Sequence, residues 1–167
     1  MAFIRSVLIL AIYAISITSL YSQTDNSTTF FFIRHAEKIR NGDSDPNLTE
    51  EGMVRSRNWA EVFKNVDFDA IYSTNTQRTL NTAKPTADNK NLDIVVYDSK
   101  MIDMLEFAKI NEGKTILIVG HSNTTPVLVN ELLGEEKYSQ IEDNNNGNLY
   151  VVTILEGIST AELLHLD

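Results

Sequence analysis

The chain of 167 residues contains no cysteine. No disulfide can staple the fold, so a hydrophobic core must hold it together unaided. Positive charge is also scarce, with 14 Lys and Arg against 23 Asp and Glu and a net charge of −9. A partner that binds through a nucleic-acid backbone needs a basic face, and this composition speaks against one. A few arginines gathered in one cleft still suffice to hold a small anion, because the field in a cleft is set locally. There is no His-Glu-x-x-His stretch and no dense carboxylate cluster, so nothing suggests a metal centre; a glycine-rich nucleotide loop and an internal repeat are missing too. No apolar run reaches the roughly 20 residues of a membrane-spanning helix.

The longest apolar run covers residues 6–20 and follows Arg5. A positive start, a short apolar stretch and the small residue Ser22 at a plausible cleavage point predict a secretory signal peptide over residues 1–22. No cysteine follows it to accept a lipid. The expected location is therefore exported, periplasmic or secreted, with membrane association only if the segment stays uncleaved. Cleavage would remove Arg5 and no acidic residue, leaving 13 basic against 23 acidic side chains, a net charge of −10. Residues 23–28 read as a flexible tether, and residues 29–167 as one domain.

Within that domain apolar strands alternate with helical stretches. Strands are expected over 29–34, 69–72, 92–97, 115–119 and 149–155, with the last segment an edge strand. Helices are expected after Thr49, from Thr76 to about Ala83 with Pro85 as a limit, over 101–110, and from Pro126 to Leu133 with Gly134 as the stop. Met53, Trp59, Ala60 and Phe63 sketch the apolar face of the first helix. Residues 39–48 and 142–148 are rich in turn formers. The alternation predicts a three-layer α/β sandwich around a mainly parallel sheet.

Two of the apolar strands run directly into histidine, as Phe30-Phe31-Phe32-Ile33-Arg34-His35 and Ile116-Leu117-Ile118-Val119-Gly120-His121. In an open α/β sheet ligands sit beyond the carboxyl ends of the strands, so parallel neighbours would send both histidines into one crevice. A third strand leads through Ser73-Thr74-Asn75 to Arg78 at the same edge. A lone histidine is usually a packing or surface residue, and His165 is read that way. Four such residues converging at one edge are much harder to assign to packing.

These residues form an ordered set of motifs: Arg34-His35-Ala36-Glu37, then Asp45-Pro46-Asn47-Leu48-Thr49-Glu50-Glu51-Gly52, then Tyr72-Ser73 with Arg78-Thr79 and Thr82-Ala83, and lastly Gly120-His121-Ser122-Asn123-Thr124. The set resembles the histidine phosphatase superfamily, also called phosphoglycerate mutase-like, in its small form without a cap. The resemblance implies the phosphoglycerate mutase-like fold, no cofactor, and His35 as a nucleophile that becomes a phosphohistidine. The chemistry is coherent. A neutral imidazole escapes the repulsion an anionic nucleophile meets at phosphorus, and guanidinium groups at Arg34 and Arg78 favour that neutral form while forking onto phosphate oxygens. By the same resemblance His121 is a second phosphate ligand, able to carry positive charge in the loaded site, Asn41 is a phosphate-binding asparagine, and Glu37 orients the site.

A leaving alkoxide also needs a proton. Asp98, just past the strand 92–97, is the candidate donor, with Asp103, Glu106 and Glu37 as others; a role as a turn or cap acid fits Asp98 equally. Some small family members that cleave phosphohistidine lack such an acid. The substrate is expected to be a small phosphomonoester or a phosphoprotein. Three other functions compete: a phosphate-binding module without turnover, a phosphoglycerate-type mutase, and a serine hydrolase using Ser122. The mutase would need a lid that residues 83–114 leave little room for. The hydrolase would need glycine where Thr124 stands.

Overall fold

The computed structural model describes residues 27–166. The expected signal peptide, and residues 23–26 of the tether, lie outside the described residues. The element order is β1 (Thr28–Arg34), α1 (Glu50–Val62), β2 (Ala70–Thr74), α2 (Gln77–Lys90), β3 (Ile94–Tyr97), α3 (Met104–Ile110), β4 (Thr115–Gly120), α4 (Thr125–Leu133), β5 (Asn148–Leu155) and β6 (Ile158–His165).

The strands form one six-stranded sheet in the order β3-β2-β4-β1-β5-β6. The first four pair in parallel, and β5 and β6 continue the sheet antiparallel. β1 shows why the apolar runs lack alternation. Phe30 and Phe32 pack on one face, with Met104 of α3 and Leu128, Val129 and Leu132 of α4. Phe31 and Ile33 pack on the other, with Trp59 of α1, Phe63 beyond its end, and Ala83 and Ala87 of α2. A strand covered by helices on both faces must be apolar throughout. The three layers predicted from the alternation are thus present.

Local chemistry explains most element ends, and tertiary packing moves the others. Thr49 caps α1, its hydroxyl accepting from Gly52 N at 3.0 Å. The buried stripe of α1 is Gly52, Ser56, Trp59 and Ala60, while Met53, assigned to that face from sequence, is exposed. Pro85 does not end α2. Its buried face continues from Thr79, Thr82 and Ala83 to Thr86 and Ala87, and the helix stops only at Asn91, which is left-handed at φ 53°. Packing outweighs the amide that proline lacks. Thr76 stands at the start of α2 without capping it, because its hydroxyl faces Thr79 Oγ1 at 2.8 Å. α3 starts at Met104 rather than near 101, because Asp103 is its cap and accepts from the backbone amides of Leu105 and Glu106.

Gly52 is where the first helix meets the loop leaving β1. A Cβ there would run into the backbone carbonyl of Glu37. Gly52→Ala is expected to destabilise the protein by about 1–3 kcal/mol despite the better helix propensity of alanine, as an overpacking change does. Urea unfolding would check it, and a neutral or stabilising effect would contradict the close approach.

Candidate active site

The site begins with a register. β1 pairs with β4 so that Arg34 lies opposite Gly120. The next residues on the two strands are His35 and His121. His35 N donates to Gly120 O at 2.9 Å, and the two imidazoles lie 5.6 Å apart between ring centres at 67°. The crevice expected at the carboxyl ends of the strands is therefore where both histidines sit.

Each ring is fixed by its own partner. His35 is buried, and its Nδ1 contacts Ala36 O at 2.7 Å. A carbonyl can only accept, so Nδ1 carries the proton and Nε2 keeps its lone pair. Ala36 N donates to Thr82 Oγ1 at 2.9 Å, and the Thr82 hydroxyl donates to Arg78 O at 2.7 Å. This relay ties the segment holding His35 to the first turn of α2, which carries Arg78. Asn146 Nδ2 also donates to His35 O, at 2.7 Å. His121 Nε2 lies 2.9 Å from Thr74 Oγ1. The Thr74 hydroxyl donates onward to Thr79 Oγ1, so Thr74 accepts from His121 Nε2–H. Ser122 has no share in that bond, which the serine-hydrolase reading would need.

Both histidines are held neutral. Burial pushes His35 down to about 3, helped by the charges of Arg34 and Arg78 and opposed by the bond to Ala36 O. Burial likewise lowers His121 to about 4, with Arg78 next in effect. The unfolded chain takes up these protons near pH 6.5, so their contribution to stability is complete above that pH and is lost as pH falls towards the folded values. For His35 the loss is on the order of 3 kcal/mol by pH 4. Urea unfolding at pH 7, 5.5 and 4 should show this slope, and His35→Asn should flatten it.

Arg34 is 2% exposed. Its Nη1 donates to the carbonyls of Glu142, Asp143 and Asn145 at 2.8, 3.2 and 2.9 Å, and its Nη2 to Asp143 Oδ1 at 3.1 Å. Arg78 Nη1 meets Asp45 Oδ1 at 3.4 Å. The Nε atoms of both arginines are buried and have no hydrogen-bond partner. Buried donors without acceptors are costly, and both arginines also line a cavity of about 380 Å³ together with His35 and His121.

The remaining residues proposed from sequence fall differently. Asn41 is exposed on the loop closed by the Lys38–Leu48 bridge, and its Oδ1 accepts from Asp43 N at 3.1 Å; it does not line the cavity. Glu37 Oε1 accepts from Arg55 Nε at 2.6 Å. Asp98 lines a neighbouring cavity with Thr74, Tyr97 and His121, and its Oδ1 accepts from Lys100 N at 2.9 Å. Asp103 is spent on the α3 cap, and Glu106 does not line the histidine cavity. Sequence reasoning missed the loop 142–146, which holds Arg34 and, through Asn146, His35. Its one sequence signal is the run Glu-Asp-Asn-Asn-Asn just before an apolar strand.

Fold and crevice together describe a three-layer α/β protein with two histidines and two arginines at the carboxyl edge of its sheet, and its fold matches phosphoglycerate mutase-like neighbours. Residues 30–104 match the model of the histidine phosphatase superfamily (branch 1), the family that the motifs resemble. No curated protein matches the chain by sequence. Among solved structures, the mycobacterial glucosyl-3-phosphoglycerate phosphatase is similar with a TM-score of 0.70 at 14% identity, over 84% of this chain and 100% of that one. The protein histidine phosphatase SixA, complexed with tungstate, gives 0.67 at 23% identity, over 82% and 96%. A phosphoserine phosphatase from Entamoeba histolytica in complex with 3-phosphoglyceric acid gives 0.64 at 22% identity, over 84% and 98%. At these identities the likeness is one of fold.

Proposed function

We propose that the protein is a metal-independent phosphatase that hydrolyses phosphomonoesters, of a small molecule or a phosphoprotein, through a phosphohistidine on His35. The observation that carries the reading is a neutral His35, with Nε2 left unprotonated, in one cavity with two arginines whose buried Nε–H groups lack acceptors. Nε2 attacks phosphorus with its lone pair and the ester P–O bond breaks. Water then attacks the same phosphorus, and the P–N pair returns to the imidazole. Arg34 and Arg78 balance the charge on the transferring group. Water is favoured over a second bound acceptor because residues 83–114 form only the end of α2, β3 and the short α3, leaving little to close over a substrate. The apolar segment 6–20 supports an exported location, and the net charge supports a partner other than nucleic acid.

The test is turnover of p-nitrophenyl phosphate by the purified protein in EDTA, with an acid-labile, base-stable phosphoenzyme trapped on quenching. Tungstate binding without turnover on a broad panel of phosphate esters would instead favour a phosphate-binding module.

A further inference from the structure

The proposed reaction needs a group that gives a proton to the leaving oxygen and later takes one from water. Of the carboxylates near the site, Asp45 faces Arg78 and Gln77 N, Glu37 faces Arg55, Asp103 caps α3, and Asp98 caps a turn in the neighbouring cavity. The carboxylate that lines the cavity of His35, Arg78 and His121 is Asp143. It bridges two arginines, with Oδ1 on Arg34 Nη2 at 3.1 Å and Oδ2 on Arg40 Nη1 at 2.7 Å, yet its side chain remains 65% exposed. It is thus fixed in the site and open to solvent, as a proton carrier has to be.

The geometry points to Asp143 as the proton-carrying catalytic residue, a role that rests on the phosphatase reading above. In the first step the ester P–O bond breaks, and the leaving oxygen takes the proton from the Asp143 carboxyl group. In the second, water attacks phosphorus, the P–N bond breaks, and the water proton returns to the Asp143 carboxylate. The cycle consumes one water and restores both residues. Hydrogen bonds from Arg40 and Arg34 hold Asp143 below the usual carboxylate range. The other charged groups lining the cavity are Lys38, Arg78 and Lys100, beside the neutral His35 and His121. A bound phosphoryl group draws on Arg34 and adds negative charge beside the carboxylate, and both effects raise its affinity for a proton. Proton loading would then accompany substrate binding.

The experiment compares an alkyl phosphate, whose leaving group needs a proton, with p-nitrophenyl phosphate, whose leaving group needs little. Asp143→Asn should lower kcat on the alkyl ester about 100-fold or more, in the range of lost acid–base catalysis, with at most a tenth of that loss on p-nitrophenyl phosphate. Asp143→Glu should recover part of the alkyl activity, which a purely structural role of the aspartate would not predict. Equal losses on both esters would overturn the role and leave Asp143 as the residue that positions Arg34. A selective loss in Asp98→Asn with none in Asp143→Asn would move the role to Asp98. If the wild type forms no phosphoenzyme, the phosphatase reading itself falls, an outcome distinct from either.

Discussion

Replacement of His35 by alanine is expected to abolish turnover, with a loss of about 10⁴-fold or more, as removal of an attacking nucleophile produces. Fold stability should suffer far less than activity. The imidazole is buried, but its one direct hydrogen bond is to the carbonyl of the next residue. The backbone bonds that fix the segment, His35 N to Gly120 O and Asn146 Nδ2 to His35 O, do not involve the ring. The variant should therefore remain folded and still bind tungstate through Arg34 and Arg78. The checks are steady-state hydrolysis of p-nitrophenyl phosphate, a phosphoenzyme trap and tungstate titration. Full activity in the variant would rule out His35 as nucleophile.

Arg34→Lys is expected to damage both catalysis and fold, although charge is conserved. The guanidinium serves three carbonyls and one carboxylate and still has Nε–H to spare. An ammonium has three donors on one atom and cannot span that arrangement. Losing one preorganised donor to the transferring group should cost about 10²–10³-fold in kcat. The carbonyls of Glu142, Asp143 and Asn145 also lose their shared donor, and a stability loss of about 2–4 kcal/mol is expected from so many disrupted partly buried bonds. Arg40 should show the contrast. It is 63% exposed and its ion pair is with the similarly exposed Asp143, so Arg40→Lys should leave stability within about 0.5 kcal/mol of wild type. Urea unfolding and kcat on p-nitrophenyl phosphate separate the two effects.

The parts of the site that were legible from sequence are those encoded at strand ends. An apolar run buried on both faces has few ways to finish, and the jump from Ile33 to Arg34-His35, or from Val119 to Gly120-His121, marks the sheet edge directly. Local chemistry likewise announced the Thr49 cap and the Gly134 stop. What stayed hidden lies far along the chain. Arg34 meets its carbonyls 108 to 111 residues away, and those residues read alone as an Asn-rich turn. Their place is set by β5, which runs antiparallel to β1 with Leu149 opposite Ile33, so the loop before β5 reaches the same edge as His35. That strand order is a property of the assembled sheet, which no local pattern states. Asn41 shows the converse: a loop can carry a suitable residue at a suitable spacing while a turn bond of its own, from Asp43 N, holds its side chain.

The central position of β1 sets an order of events. Among the described residues β1 precedes every other strand, yet its two neighbours in the sheet are β4 and β5, at residues 115–120 and 148–155. Pairing between such distant segments is slow to form, because the intervening chain must be closed before any contact is gained. Until β5 arrives, the Phe-rich strand has one edge unmatched and an apolar surface exposed, the condition in which chains associate wrongly. The same strand carries Arg34 and leads into His35, so the pocket cannot exist before the sheet closes. Recovery of hydrolysis during refolding would then report the final closure of the molecule rather than its early collapse.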